Sequence, residues 1–136
     1  MKWMLDTNTC IALIKKAPEV AVRKLRGKSM GQVGLSSIVL SELTFGAARS
    51  ARPTQNFGAL EEFILALEIA PYDYRAALEY GNVRHLLEHG GEPIGPLDTL
   101  IGAHALALDV ILVTHNTREF ERVKGLRIED WLEPRK

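Results

Sequence analysis

Four carboxylates of this chain, Asp6, Glu42, Asp98 and Glu119, stand where the local pattern sets a charge at the end of a strand or near the start of a helix. Asp6 closes the apolar run Trp3–Leu5 and precedes the helical pattern of Ile11, Leu13 and Ile14. Glu42 falls on a helix capped by Ser36 or Ser37, with Ile38 at i−4, Val39 at i−3 and Phe45 at i+3. A carboxylate with such neighbours needs a partner. Asp98 follows Pro96, which suits a first helical position, and Glu119 follows the apolar run Val110–Val113. In an open parallel α/β sheet the carboxyl ends of the strands form the functional edge, and all four acids can converge there. Two of these positions also have purely structural readings: Asp6 or Asn8 as a helix cap, and Asp98 as a charge favoured by a helix N-terminus.

Clustered carboxylates repel one another by roughly 4 kcal/mol per close pair at an effective dielectric near 20. Protons or a cation must offset that repulsion. Oxygen-only donors select hard divalent ions, so magnesium or manganese is expected over zinc. An ion held this way supports in-line displacement at phosphorus without a histidine base. The residues by themselves therefore point to an acidic, metal-dependent phosphodiesterase site.

The elements that must position these groups can be read in order. A second helix runs from the turn at Pro18 to about Arg26, stopped by Gly27. Val33-Gly34-Leu35 is a short strand. A further helix carries a stripe of Leu60, Phe63, Ile64 and Leu67, with Glu61, Glu62 and Glu68 facing away, and Ile69-Ala70-Pro71 marks a break or short strand. Asp73 caps a helix with the stripe Ala76, Tyr80, Val83 and Leu87, ending at Gly90-Gly91; Arg84 borders that stripe and can pair with Glu88. The small residues Gly102, Ala103, Ala105 and Ala107 let the helix Thr99–Leu108 pack closely. Val110–Val113 has the composition of a strand buried on both faces, Leu126 to Ile128 suggests a last strand, and Trp131 a closing anchor. Strands alternating with helices favour a parallel sheet covered on both sides.

At 136 residues, 46% hydrophobic and 25% charged, the sequence fits a single domain over residues 1–136 with an ordinary core. The lone Cys10 cannot form an internal bridge, which suits a reducing cytoplasm, and no stretch has the composition of a signal peptide or membrane span. Seventeen basic and seventeen acidic residues give zero formal charge, a weak argument against a nucleic-acid partner. Distribution matters more than the sum: Arg118, Arg122, Lys124 and Arg127 surround Glu119.

Leu5-Asp6-Thr7-Asn8, Ser41-Glu42-Leu43 with Gly46, Gly95-Pro96-Leu97-Asp98 with Ala103-His104-Ala105, and Thr114-His115-Asn116-Thr117-Arg118-Glu119-Phe120 together resemble the motif series of PIN-domain ribonucleases. More narrowly, the chain from about residue 2 to Trp131 resembles the VapC toxins of bacterial type II toxin–antitoxin systems. The resemblance implies a PIN-like three-layer α/β/α fold with a mostly parallel five-stranded sheet, a Mg2+ or Mn2+ site and endonucleolytic RNA cleavage that inhibits translation. It implies Asp6, Glu42 and Asp98 as the core acids and metal ligands. Glu119 matches the fourth acidic position, often Asp in the family, and its longer side chain allows direct or water-mediated contact. Asn8 and Asn116, and with them Thr7 and Thr114, are expected to orient carboxylates or phosphate, against plain turn or cap roles; Arg118 and Arg122 are expected to hold the RNA backbone. A homodimer and a VapB-type antitoxin are further implied, with Arg84 or the basic residues near Glu119 meeting the antitoxin. The enteric-type members suggest tRNA as substrate, specifically initiator tRNA cut in its anticodon stem–loop.

Three rival readings fit the sequence less well. His85-Leu86-Leu87-Glu88-His89 fits the H-x-x-E-H pattern of a zinc peptidase family, but no third ligand follows and Gly90-Gly91 ends the helix at once. A phosphorelay receiver would need paired acids after the first strand and a late lysine. A PIN-like binding module would be favoured by loss of a core acid, whereas Asp6, Glu42 and Asp98 are all present.

Overall fold

Strand β1 (Trp3–Leu5) lies at the centre of a five-stranded sheet of order β3-β2-β1-β4-β5. Its neighbours are β2 (Val33–Ser36) and β4 (Ile111–Val113), with β3 (Glu68–Ala70) and β5 (Ile128–Glu129) at the edges. Met4, Leu5, Leu35, Leu112 and Val113 are fully buried, as apolar strands covered on both faces must be. Every pairing is parallel, which sharpens the expected mostly parallel sheet. The computed structural model describes residues 1–133, so positions 134–136 of the expected domain lie outside the described residues.

Chain order decides where the helices go. The path runs outward from β1 through β2 to β3, then returns past β1 to β4 and β5. Right-handed crossovers then place α1 (Thr7–Lys15), α2 (Glu19–Arg26), α3 (Ser37–Ala48) and α4 (Pro53–Ile64) on one face. They place α5 (Tyr74–His89), α6 (Pro96–Leu108) and the short α7 (Thr117–Phe120) on the other, completing the three layers. Helix α5 packs along α6, while α3 packs against α1 and α4. The reversal falls between β1 and β4, and such a switch point opens a crevice at the carboxyl ends of the strands.

Several local expectations shift. Helix α1 starts at Thr7, directly after the strand, because Asp6 is its cap; the alternative of Asn8 as cap is thereby set aside. Helix α4 ends at Ile64, so Leu67 is off the predicted stripe and Glu68, still exposed, opens strand β3. On α3 the buried residues Val39, Leu43 and Ala47 recur every fourth position, which turns Phe45 out to 64% exposure. Glu42 is therefore half-buried at the border of the core, not enclosed by apolar side chains.

Candidate active site

Leu5 is in register with Leu35 and Val113, so Asp6, Ser36 and Thr114 stand abreast one step further along three adjacent strands. Asp6 is 6% exposed; its amide donates to the Val113 carbonyl at 3.0 Å and its Oδ1 accepts from the Thr9 amide at 2.9 Å. It is thus both the cap of α1 and a carboxylate at the crevice. Next to it, Thr7 Oγ1 donates to Glu42 Oε1 at 2.6 Å, tying α1 to α3. That hydroxyl is the partner Glu42 requires.

From the other side, α6 supplies Asp98 and the short α7 after β4 supplies Glu119. Asn116 Nδ2 donates to Glu119 Oε2 at 2.7 Å and, more weakly, to Asp98 Oδ2 at 3.5 Å. Buried Thr114 holds that asparagine in place, its Oγ1 accepting the Asn116 amide at 2.9 Å. Burial, a hydrogen bond with and the charge of Glu119, and the charges of Asp6 and Glu42 push the Asp98 carboxyl up from 3.8 to about 6. One group therefore senses all three of the other acids. No three of the four carboxylates form a closed cage; among the described residues the trio of metal-type side chains within 4.8 Å of one another is His115, Asp130 and Glu133. In that trio His115 Nδ1 lies 2.9 Å from Asp130 Oδ2 and 3.9 Å from Glu133 Oε1, and the Asp130 hydrogen bond and charge raise the histidine's pKa.

Folding holds a proton on Asp98 that the unfolded chain releases, so in chelator the protein is expected to lose stability as pH rises from about 4 through about 6. Urea melts across that range measure it, and Asp98→Asn is expected to flatten the profile. A profile unchanged by the substitution would contradict the shared repulsion.

The remaining expected residues fall unequally. Asn8 is exposed and has no hydrogen bond to a carboxylate among the described residues. Arg118 is exposed on α7 without an ion pair to the described residues. Arg122 is drawn to the loop before α6, through the Pro93 carbonyl at 3.3 Å and Glu92 at 3.8 Å. Arg84 pairs with Glu88 at 2.9 Å as its spacing suggested and donates to the Tyr80 hydroxyl at 3.0 Å. The stacked rings of His85 and His89 stand on α5, and their intervening Glu88 is occupied by Arg84, which leaves the zinc reading without its acid.

Sequence reasoning missed the brace under the site. Ser36 Oγ accepts the Ile38 amide at 3.0 Å and lies 2.8 Å from Nδ1 of buried His104 on α6. Burial pushes the imidazole pKa down, which keeps the ring neutral, and its hydrogen bond with Ser36 links the helix of Glu42 to that of Asp98. Ser36→Ala is expected to cost about 2 kcal/mol, from the lost cap and an unpaired buried imidazole. Equilibrium urea unfolding reads that loss directly.

The chain matches the PIN domain family over residues 3–126. It is 45% identical over 131 residues to the tRNA(fMet)-specific endonuclease VapC of Salmonella typhimurium, covering 96% of this chain and 98% of that one. It is 39% identical to Ribonuclease VapC2 of Haemophilus influenzae, covering 97% and 99%. The crystal structure of the DNA-bound VapBC from Salmonella typhimurium aligns with a TM-score of 0.91, at 45% identity over 96% of this chain and 98% of that one. The chain therefore belongs to the VapC branch of the PIN-domain family.

Proposed function

We propose that this chain is a divalent-metal-dependent endoribonuclease toxin that cuts tRNA, with initiator tRNA cut in its anticodon stem–loop as the substrate. The observation that carries the reading is that burial, together with Glu119, Asp6 and Glu42, raises the pKa of Asp98 at the switch point. The all-oxygen donor set fits a hard cation, and the repulsion it would relieve is present in the fold. Asp6, Glu42 and Asp98 would hold Mg2+, for which Mn2+ is an equivalent fit, and Glu119 would join directly or through water. When bound, the ion supplies Lewis-acid stabilisation of charge at phosphorus. Thr7 fixes the rotamer of Glu42, while Asn116 orients Glu119 and Asp98. Arg118 is open to a phosphate, and Arg122 sets the loop that precedes Asp98.

A VapB-type antitoxin neutralises the chain in this reading, and two copies form a homodimer in the cytoplasm. Arg84 lines a small cleft with Pro93, Ile94 and Pro96, next to the turn that carries Asp98, and is proposed as an antitoxin contact. Among the described residues no helix is long and apolar enough to cross a membrane. The relatives' names support the RNA substrate, and the VapBC complex supports the partner.

Incubating the purified protein with total RNA and with a synthetic anticodon stem–loop, in magnesium, manganese or chelator, tests the reading. Discrete fragments formed only with the ion are expected. Fragments formed equally in chelator, or none with either ion, would overturn it. Magnesium is also expected to raise the Tm by a few degrees at pH 7.5, and less at pH 4.5 where Asp98 is already protonated.

A further inference from the structure

Beside Glu42 an open cleft of about 590 Å³ runs between α1, α3 and the start of α6, lined among others by Thr7, Ile11, Glu42, Phe45, Arg49 and Leu97. Its walls are apolar side chains left in solvent: Phe45 is 64% exposed, Leu97 45% and Ile11 37%. The Arg49 guanidinium lies over the Phe45 ring, 5.5 Å from its centroid. An aromatic ring this open, joined by other apolar groups around a concave surface, marks a contact site.

We infer that this cleft is a nucleobase-stacking subsite, in which Phe45 and Arg49 hold the base adjoining the cleaved phosphate. The inference rests on the ribonuclease reading above. Glu42 and Thr7 belong both to the cleft and to the acidic cluster, so a phosphodiester lying against the acids passes its neighbouring nucleotide into the cleft. Phe45 is three residues beyond Glu42 on α3, a spacing that puts the Cβ atoms about 5–6 Å apart, within reach of the next base. Single-stranded RNA loops are read by splaying bases onto aromatic rings and guanidinium planes, and both are present here. Arg49 adds a positive charge to the cleft wall, a complement that a purely apolar protein segment would not need.

The experiment measures single-turnover cleavage of a labelled anticodon stem–loop in magnesium by the wild type, Phe45→Ala, Phe45→Leu, Phe45→Trp and, as a control, exposed Leu65→Ala. Circular dichroism and melts confirm folding, which an exposed side chain should not disturb. Phe45→Ala and Phe45→Leu are expected to lose about 5- to 150-fold in kcat/KM, the equivalent of roughly 1–3 kcal/mol of base–aromatic stacking, while Phe45→Trp and Leu65→Ala retain cleavage. On stem–loops made abasic on either side of the cleaved phosphate in turn, one position should erase the difference between wild type and Phe45→Ala. Wild-type rates in Phe45→Ala, full activity in Phe45→Leu, or a loss that persists on both abasic RNAs would overturn the subsite. A Phe45→Ala protein that cleaves normally but escapes the antitoxin would assign the cleft to a protein partner instead. Failure of the wild type to cleave overturns the ribonuclease reading and the subsite with it, an outcome distinct from the others.

Discussion

Asp6→Asn is expected to lower metal-dependent RNA cleavage by about a thousandfold or more, a loss of roughly 4 kcal/mol or more in transition-state stabilisation, while leaving the fold intact. The substitution is unusually clean. Asp6 caps α1 by accepting the Thr9 amide, and asparagine caps a helix as well as aspartate does, so the local structure survives and only the charge is removed. Asp98→Asn should lose cleavage to a similar degree but shift stability the other way. Because burial and then the other acids raise the Asp98 pKa, neutralising it removes both the cost of burying the charge and the repulsion, and should stabilise the metal-free protein above pH 6. Activity down with metal-free stability up is a signature that a merely structural carboxylate would not produce. The same cleavage assay, run beside chelator melts at pH 7.5, measures both. Retention of cleavage within about tenfold in either variant would remove that residue from the proposed site.

Gly34→Ala is expected to cost about 3 kcal/mol or more and, if the protein still folds, to disturb Glu42 as well. A Cβ at Gly34 would lie 2.3 Å from the Glu68 carbonyl oxygen, where β2 and β3 pair, and backbone on that side has no rotamer through which to retreat. Strand β2 leads through Ser36 into α3, so prying β2 from β3 shifts the helix that carries Glu42. Gly58 on α4 is the control, since nothing lies within 4 Å of its Cβ position; Gly58→Ala should be neutral or stabilise by up to about 1 kcal/mol through helix propensity. Urea unfolding of both variants provides the comparison. Equal stabilities would contradict the close approach at Gly34.

The two glycines mark the difference between local and tertiary information. Neither carries a sign in the sequence of what faces it, because the crowding at Gly34 comes from Glu68 across a strand pair. What the sequence by itself determined is what depends on near neighbours: the apolar runs of β1 and β4, the Asp73 cap of α5, the Pro96 start of α6 and the Arg84–Glu88 pair. It also made the acidic edge legible, since each carboxylate follows its own local break and parallel strands bring such breaks to one side. Zero formal charge argued weakly against nucleic acid, yet a sum over the chain says nothing about where Arg49, Arg118 and Arg122 fall.

Only the tertiary structure decided which groups touch. The strand order, with its reversal between β1 and β4, brings Thr7 to Glu42 across 35 positions and Asn116 to Asp98 across 18. It joins Ser36 to His104 and turns Phe45 from an expected neighbour of the core into the wall of an open cleft. The raised pKa of Asp98 has the same origin, because burial and the fields of three distant carboxylates exist only once the sheet has assembled. Local pattern selects the face of each element that is buried; the elements placed opposite that face by strand order determine its partners, and those partners set the chemistry.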